Sequence, residues 1–322
     1  MQLMQALATC GSLRAAAREM NVTQPALTKA LRLLEEEFGA PLVLRTPKGV
    51  RLTAAGALVA ARAATVVREI DRAREDVAWQ QRHATAHVAV SVSPAAAITT
   101  LRGALARLRS RWPQVRIQVV DAVYPRALTM LRAGEVDLAV GPLPPEGPGR
   151  DLQVQPLFDA QQVLVVRSGN PLTGARTLAE LQRADWIVAG PAGGPGDPAR
   201  LGFEARGLRN PPVMVTCESF STLLALLPSV DAVAIMPAGF YAGYAAPRGL
   251  LRLPIEDPLP RVSVHAAWRA DSPLTAPAAH LLDALEQEAR DVRRSAAQDR
   301  PRVSPTPTAR RSRPATSPGQ AS

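Results

Sequence analysis

The sequence is poor in cysteine, in histidine and in long hydrophobic runs. Two cysteines and four histidines occur among its 322 residues, and aromatic residues make up 4%. Cys10 and Cys217 lie in what we predict to be different domains, so we expect reduced, buried structural thiols rather than a disulfide framework or a redox pair. No uncharged apolar run reaches about 18 residues, which argues against a transmembrane helix. Residues 1–10 are too short and too polar for the apolar core of a signal peptide, so we expect a cytoplasmic protein.

Motifs of catalysis and metal binding are also missing. None of the four histidines lies in a recognisable nucleophile or metal-ligand pattern. The glycine-rich run at residues 193–196 lacks the Lys-Ser/Thr pair that a phosphate-binding loop needs. We therefore expect no catalytic residues, no metal site and no cofactor, and the chain is predicted not to be an enzyme.

Charge is unevenly distributed along the chain. The net charge is +10; residues 1–82 carry 12 basic and 8 acidic side chains, residues 293–322 carry 7 and one, and the middle is balanced. A basic N-terminal part suggests a polyanionic partner, whereas a neutral middle suggests a small molecule or a protein. The last 30 residues are rich in Pro, Ser, Thr and Arg, with almost no large apolar side chain, so we predict a disordered basic tail over 293–322.

The first 53 residues predict three short helices followed by a β-hairpin. Ser12 is a suitable N-cap for the second helix and Thr23 for the third. An inward face with i, i+3, i+4, i+7 spacing is formed in the third helix by Leu27, Ala30, Leu31 and Leu34. Two short strands, 41–44 and 50–52, flank a Pro/Gly turn and indicate a wing. The pattern predicts a winged helix-turn-helix over residues 1–53.

The outward face of the third helix carries side chains that suit the major groove of DNA. Glutamine can bond adenine edges, arginine and lysine reach guanine or phosphate, and threonine can touch a thymine methyl group. The candidate DNA-binding residues are Gln24, Pro25, Thr28, Lys29 and Arg32 on this helix, with Arg45, Lys48 and Arg51 on the wing. The alternative is a small helical domain with a solvated charged face, and the wing and the long helix after it argue against that alternative.

A long alanine-rich helix is predicted over residues 54–82, as a linker and dimerisation helix. Its apolar positions are spaced 4, 3, 4, 3 and 4 residues apart, which is the heptad spacing of a coiled coil. These positions are Val59, Ala63, Val66, Ile70, Ala73 and Val77. A helix lying on its own domain stays open as an alternative, because two of the six positions are alanine. Charged side chains on the other faces favour pairing with a second copy, so we predict a homodimer and, for the whole protein, a homotetramer.

From His87 onward, predicted strands alternate with predicted helices. This alternation indicates an α/β domain with a mostly parallel sheet and helices on its faces. A second unit starts near Asp159, and the chain crosses back near residues 258–260. We therefore predict an effector-binding domain over 87–292. Its predicted boundaries are 87–158 and 262–292 for subdomain I and 159–261 for subdomain II.

The N-terminal motifs resemble those of a known family. They are the runs Gly11–Ala17 and Val22–Leu27, with Leu34-Glu35, Pro41-Leu42, Arg45-Thr46, Gly49, Leu52-Thr53 and Gly56. Together they resemble the N-terminal signature of LysR-type transcriptional regulators, and the resemblance extends to about residue 292. It implies a winged helix-turn-helix, a linker helix, and an effector domain like a type 2 periplasmic binding protein. Within the family, residues 14–20, Ser93-Pro94 and Cys217–Phe220 are most similar to regulators of toluenesulfonate degradation.

Ligands of open α/β sheets bind at the carboxyl ends of strands, often at helix N-termini. Strand ends near Ser93, Gly141 and Ser219 fit this rule, and the family resemblance places the effector between the two subdomains. The candidate effector-binding residues are Ser93, Pro94, Ala95, Tyr124, Gly141, Pro142, Glu218, Ser219 and Phe220. For each serine an ordinary helix N-cap is the alternative, and the two roles are compatible because they use the same backbone N–H groups.

These residues and the family resemblance together predict a DNA-binding regulator controlled by a small anionic effector, an aromatic acid or a sulfonate. The expected partners are double-stranded DNA, this effector, further copies of the chain and RNA polymerase, and no membrane. A solute-binding protein of a transporter would share the effector fold. The N-terminal module and the absence of a signal peptide argue against it.

Overall fold

A computed structural model of the chain describes residues 1–47, 49–80, 86–144, 146–191, 194–195 and 197–298. Along the chain, a small helical domain with one β-hairpin comes first. A long helix follows, and the rest forms two five-stranded sheets with helices on their faces.

The N-terminal domain contains three short helices. They are α1 (Gln2–Cys10), α2 (Leu13–Glu19) and α3 (Gln24–Phe38). Ser12 Oγ accepts a hydrogen bond from Ala15 N at 3.1 Å, and Thr23 Oγ1 accepts one from Ala26 N at 3.4 Å, as their predicted N-cap roles require. The helices pack around a buried core of Leu3, Met4, Leu7, Leu13, Ala16, Ala17, Leu27 and Leu31. Ala30, predicted to face inward, is exposed, because it lies at the edge of the apolar stripe.

The wing is a β-hairpin of β1 (Val43–Thr46) and β2 (Gly49–Leu52). Val50 N donates a hydrogen bond to the Gly11 carbonyl oxygen at 2.8 Å, which joins the hairpin to the turn between α1 and α2. Gly49 has a φ of +128°, and a Cβ built on it would lie 2.4 Å from that same oxygen. The hairpin can approach the turn this closely because residue 49 has no side chain.

Glu35 and Thr53 hold the segment between α3 and the hairpin. Glu35 Oε1 accepts hydrogen bonds from Leu42 N at 2.8 Å and from Val43 N at 3.2 Å. Thr53 Oγ1 donates to the Pro41 carbonyl oxygen at 2.7 Å. A carboxylate that accepts two backbone N–H groups forms comparatively strong bonds, so these side chains fix the wing relative to α3.

The long helix α4 (Ala54–Gln80) has two different environments along its length. Val59 and Ala63 are buried in the core of the N-terminal domain. Three later seam positions are about half exposed: Val66 (44%), Ile70 (48%) and Val77 (54%). The prediction of one continuous seam is therefore wrong for Val59 and Ala63, which pack on their own domain. The later positions remain open to a second copy.

The C-terminal part is built from ten strands and seven α-helices among the described residues. The strands are β3 (His87–Val92), β4 (Arg116–Asp121), β5 (Leu138–Pro142), β6 (Leu152–Ala160), β7 (Gln162–Val166), β8 (Asp185–Ala189), β9 (Val213–Cys217), β10 (Ala232–Pro237), β11 (Leu251–Arg252) and β12 (Val262–Arg269). The helices are α5 (Pro94–Ala96), α6 (Arg102–Arg111), α7 (Arg126–Ala133), α8 (Pro198–Glu204), α9 (Phe220–Leu226), α10 (Ala238–Phe240) and α11 (Ala276–Gln298). One π-helical segment, Ala97–Leu101, joins α5 to α6, and another, Tyr241–Ala245, follows α10.

The strands form two mixed sheets. Sheet I has the order β4-β3-β5-β12-β6, and sheet II has the order β11-β7-β10-β8-β9. Three neighbouring strands are parallel in each sheet, but the other two strand pairs of each sheet are antiparallel, so the prediction of a mostly parallel sheet is wrong. The antiparallel pairs involve β12 in sheet I and β7 in sheet II, which are the strands that follow the two crossings between sheets.

Helices cover both faces of each sheet. In sheet I, α6 and α11 pack over one face and α7 over the other. In sheet II, α9 and α10 cover one face, and the opposite face buries Trp186 against Phe203 in an edge-to-face contact with ring centroids 5.6 Å apart. Strands buried on both faces read as continuous apolar runs, which is the pattern of β3, β7 and β10.

Two predicted boundaries need correction. Asp159 and Ala160 pair with Ser263 and Val262 of β12, so the first crossing lies after Ala160 and not after residue 158. Helix α11 continues to Gln298, so residues 293–298 are helical rather than part of a disordered tail. The remainder of the predicted tail, 299–322, lies outside the described residues.

Candidate functional site

The predicted DNA-binding residues of α3 lie together on one exposed surface. Gln24, Pro25, Thr28, Lys29 and Arg32 line a single open depression. Thr28 Oγ1 donates to the Gln24 carbonyl oxygen at 2.9 Å, which fixes the hydroxyl against the helix. Arg32 Nε pairs with Glu36 Oε1 at 2.9 Å. Both side chains are largely exposed, so the pair is worth at most about 1 kcal/mol and the arginine can exchange it for a phosphate or a base.

The wing presents one arginine on each of its faces. Arg45 is paired with Val50, and Arg51 with Leu44, across the hairpin. Side chains of directly opposed residues share a face, and adjacent residues alternate, so Arg45 and Arg51 project from opposite faces. Both are exposed. The third predicted wing residue, Lys48, lies outside the described residues.

A cleft between the two subdomains is the second candidate site. It is lined by 15 described residues, which come from both subdomains. Subdomain I contributes Ser93, Pro94, Ala95, Val123, Tyr124, Pro142, Ala160 and Val262. Subdomain II contributes Gln162, Ala189, Pro195, Pro198, Phe220, Ile235 and Pro237.

Six of the nine predicted effector-binding residues line this cleft. They are Ser93, Pro94, Ala95, Tyr124, Pro142 and Phe220. Gly141 instead lies behind Ser93, and a Cβ built on it would be 3.2 Å from the Ser93 Cβ. Glu218 is exposed, and Ser219 Oγ contacts Ser221 Oγ at 2.9 Å and accepts from Thr222 N at 3.3 Å. Glu218 and Ser219 are therefore not part of the cleft wall.

The cleft wall is mainly apolar. Among the described residues that line it, the polar side chains are those of Ser93, Tyr124 and Gln162, and none carries a formal charge. Ser93 is buried; its backbone N donates to the Val140 carbonyl oxygen at 2.8 Å, and its Oγ accepts from Ala96 N at 3.4 Å. Gln162 Nε2 donates to the Ala160 carbonyl oxygen at 3.2 Å. A ligand here meets apolar contacts on most sides and a few hydrogen-bonding groups.

Sequence reasoning missed the lining residues at the two crossings. Ala160 and Gln162 flank the first crossing, and Val262 begins the strand after the second. The predicted crossings could have located these lining residues, because any segment that passes between two subdomains lies at the base of the cleft between them. Ala189 and Pro237 lie at the carboxyl ends of their strands, where ligands of open α/β sheets bind, and the same rule had located Ser93.

The two cysteines differ in their surroundings. Cys217 is buried, and burial raises the pKa of its thiol. Cys10, expected to be buried, is partly exposed, and its Sγ donates to Glu19 Oε2 at 2.6 Å. That hydrogen bond to a carboxylate raises the pKa of the Cys10 thiol. Both thiols therefore favour the protonated, unreactive form.

In the part of the chain that the structure describes, no three or more potential metal-ligating side chains cluster together. None of the described helices has the length and apolarity needed to cross a bilayer.

Two families match this chain. Residues 1–57 match the family described as "Bacterial regulatory helix-turn-helix protein, lysR family". Residues 81–290 match the "LysR substrate binding domain". The two matches divide the chain where the structure passes from the N-terminal domain through α4 to the two sheets.

Similar proteins include regulators from several bacteria. The HTH-type transcriptional regulator TdcA of Escherichia coli K12 is 27% identical over 258 residues, covering 80% of this chain and 82% of that protein. The regulator PcaQ of Agrobacterium fabrum is 25% identical over 279 residues, covering 86% and 90%. The solved structure of full-length CbnR with its target DNA superposes with a TM-score of 0.66 at 20% identity, covering 89% of this chain and 98% of that one.

Proposed function

The chain belongs to the LysR family of DNA-binding transcriptional regulators, and from this premise we propose that α3 reads a specific operator while a small molecule in the interdomain cleft controls the response. The family assignment also means that the chain is a regulator and not an enzyme. One observation supports the proposal above all. The five α3 residues predicted from sequence to bind DNA share one exposed face of the helix.

In the proposed complex, α3 lies in the major groove. Gln24, Thr28 and Arg32 contact base edges, and Lys29 reaches the phosphate backbone. Arg45, Lys48 and Arg51 of the wing hold phosphates beside the groove and carry no sequence information. Contacts to bases determine which sequence is bound, whereas contacts to phosphates determine how strongly binding depends on salt.

Gel-shift titrations with the intergenic DNA upstream of the gene test this division. We expect Gln24→Ala to cost about 1–3 kcal/mol on the preferred sequence and to relax the preference at one position. Arg51→Ala should weaken binding to every sequence and reduce the salt slope by about one. Arg111→Ala, an exposed arginine on α6, is the matched control and should bind as the parent does. If Gln24→Ala keeps both affinity and preference, α3 is not the recognition helix.

The ligand that we propose for the cleft is a small acid with an apolar, aromatic body, such as an aromatic carboxylate or sulfonate. Apolar walls and Phe220 suit the aromatic body. The acid group would lie beside Ser93, at the start of the helical stretch that runs from α5 into α6, where backbone N–H groups and the helix dipole favour an anion. The similarity of Ser93-Pro94 and Cys217–Phe220 to regulators of toluenesulfonate degradation favours a sulfonate.

Thermal-shift measurements with matched acids and neutral isosteres test the ligand class. Benzoate and toluenesulfonate should raise the melting temperature, and benzamide should not. Ser93→Ala should weaken binding by about 0.5–1.5 kcal/mol, the net worth of one hydrogen bond. Ser110→Ala, whose hydroxyl lies on α6 and donates to the Arg107 carbonyl oxygen, is the control. Stabilisation by neutral compounds alone would reject an anionic ligand and leave the regulator assignment intact.

For assembly, we propose a homodimer formed through the later half of α4, and a homotetramer of the whole protein. The exposed apolar positions Val66, Ile70 and Val77 support pairing there. We also propose contact with RNA polymerase once the regulator is bound to its operator.

A further inference from the structure

A group of charged side chains joins α4 to subdomain I, and the functions proposed above do not use it. The group, which we call the junction cluster, consists of Arg68, Glu69, Arg72, Asp137 and Arg269. Three of these residues belong to α4, one precedes β5 and one ends β12. The cluster therefore connects the helix that leaves the DNA-binding domain to the domain that holds the cleft.

The junction cluster is closely bonded, and apart from the Glu69 side chain, which is 39% exposed, it is largely shielded from solvent. Arg72 Nη2 lies 2.6 Å from Asp137 Oδ1, and Arg72 Nη1 lies 3.1 Å from Glu69 Oε1. Arg269 pairs with Glu69, and the Arg269 side chain is 9% exposed. By contrast, the Arg74 side chain, in the ordinary pair with Asp71 on the same helix, is 70% exposed. A shielded pair resists separation more than a solvated one, because parting it leaves a charge without a partner.

Three guanidinium groups of the cluster bind the C-terminal end of α7. Arg68 Nε donates to the Ala133 carbonyl oxygen at 2.6 Å, and Arg269 Nη1 donates to that of Leu131 at 3.1 Å. Arg72 Nη2 donates to the carbonyl oxygen of Gly134 at 3.3 Å. The last carbonyl groups of a helix lack partners within it and carry its negative dipole end, so they suit arginine.

Gly134 makes this approach possible. Its φ is +72°, and a Cβ built on it would lie 2.9 Å from Arg269 Nη1. A side chain at residue 134 would therefore push the guanidinium group away from the end of α7.

The other end of α7 forms part of the cleft wall. Val123 and Tyr124 line the cleft, and Ala127 N donates to the Val123 carbonyl oxygen at 3.0 Å, so the first turn of the helix starts from the wall. Gly190 of subdomain II faces the same two residues: a Cβ built on it would lie 3.8 Å from Tyr124 O and from Val123 Cγ2. Helix α7 has 8 residues, or about 12 Å of length. One short helix thus spans from the cleft to the junction cluster.

We propose that α7 and the junction cluster mechanically couple the cleft to the linker helix α4. A change in the position of subdomain II relative to Val123 and Tyr124 shifts α7 along or about its axis, and the arginines transmit that shift to α4. The coupling is reciprocal, so a disturbance at the cluster must also be felt at the cleft. The regulatory meaning of this coupling rests on the proposed function, but the coupling itself can be measured without any effector.

Fluorine NMR of the full-length protein labelled with 3-fluorotyrosine provides the measurement. The chain has three tyrosines: Tyr124 at the start of α7, and Tyr241 and Tyr244 in subdomain II. Tyrosine-to-phenylalanine variants assign the three signals. Glu69→Gln removes the charge that pairs with Arg269, and Arg68→Gln removes the bond to Ala133, so two independent variants disturb the cluster. Arg74→Gln, which removes the solvated pair on the same helix, is the matched control.

We expect both cluster variants to shift the Tyr124 signal and to leave those of Tyr241 and Tyr244 in place, while Arg74→Gln moves none of them. Faster amide exchange over residues 66–74 in the cluster variants will show that α4 has been released. If amide exchange shows that α4 has been released from subdomain I while the Tyr124 signal stays in place, the proposal is overturned. An unmoved Tyr124 signal without release, or equal shifts of all three tyrosines, would overturn it as well. No ligand is present, so a failure of the Ser93 experiment and a failure of this one remain separate results.

Discussion

Replacing Gly49 with alanine tests whether close contact with the turn after α1 positions the wing. At a φ of +128°, the added Cβ would lie 2.4 Å from the Gly11 carbonyl oxygen, far inside normal contact distance. Strained backbone costs about 1–3 kcal/mol, and forcing an atom into a packed contact costs about 1–3 kcal/mol more. We expect the N-terminal domain to lose about 2–6 kcal/mol of stability and the bond from Val50 N to Gly11 O to break.

Gly11→Ala is the matched control, because this glycine lies on the other side of the same contact. Its φ is +63°, and nothing lies within 4 Å of a Cβ built on it. The substitution therefore carries the strain of a left-handed backbone, about 1–2 kcal/mol, without a clash. The difference between the two variants reports the contact together with the extra strain of the more unusual backbone at residue 49.

Amide hydrogen exchange over residues 1–53 of the full-length protein measures the loss, and gel-shift titration measures its consequence for DNA. Gly49→Ala should exchange faster than Gly11→Ala and bind all DNA more weakly, because Arg45 and Arg51 are displaced with the wing. Its sequence preference should survive, since α3 is not displaced. Equal losses in the two variants would refute the reasoning, because the clash would then contribute nothing.

Three further outcomes are expected. Ile70→Glu places a charge on the exposed seam of α4 and should halve the mass measured by sedimentation; an unchanged mass would contradict dimerisation there. Glu19→Gln removes the carboxylate that raises the Cys10 thiol pKa, so alkylation of Cys10 at mildly alkaline pH should accelerate, and an equal rate would exclude that cause. Glu35→Ala leaves two backbone N–H groups without their acceptor and should cost about 1–3 kcal/mol or more in denaturant unfolding, whereas Glu35→Gln keeps an oxygen acceptor and should cost less.

The N-terminal domain was predictable from sequence because its determinants are local. Ser12 and Thr23 each accept from an N–H three residues onward, so their roles are legible in a short stretch of sequence. The packing of the apolar seam of α4 was harder to predict from the sequence. Val59 and Ile70 share a heptad pattern, but the pattern does not reveal that Val59 is buried in the chain's own N-terminal domain while Ile70 is exposed. That difference depends on the tertiary fold.

The cleft was only partly predictable for the same reason. Ser93 and Ser219 look equivalent in sequence, since each follows a strand and caps a helix. The fold turns Ser93 into the cleft, while the hydroxyl of Ser219 contacts Ser221 and Thr222 outside it. Gln162 and Val262 lie 100 residues apart in the numbering and meet because both follow a crossing between the sheets. No local sequence pattern shows that these two residues line the same cleft.

The position of β12 in sheet I determines when that sheet can be completed during synthesis of the chain. This strand lies between β5 and β6, although it is synthesised more than 100 residues after both of them. On the ribosome, the N-terminal domain and all five strands of sheet II emerge before β12 does. Until then β5 and β6 expose unpaired edges of the kind that invite aggregation. Arg269, the last residue of β12, arrives last of the junction cluster, so a nascent chain acquires the means to bind DNA before it acquires the contact proposed to govern it.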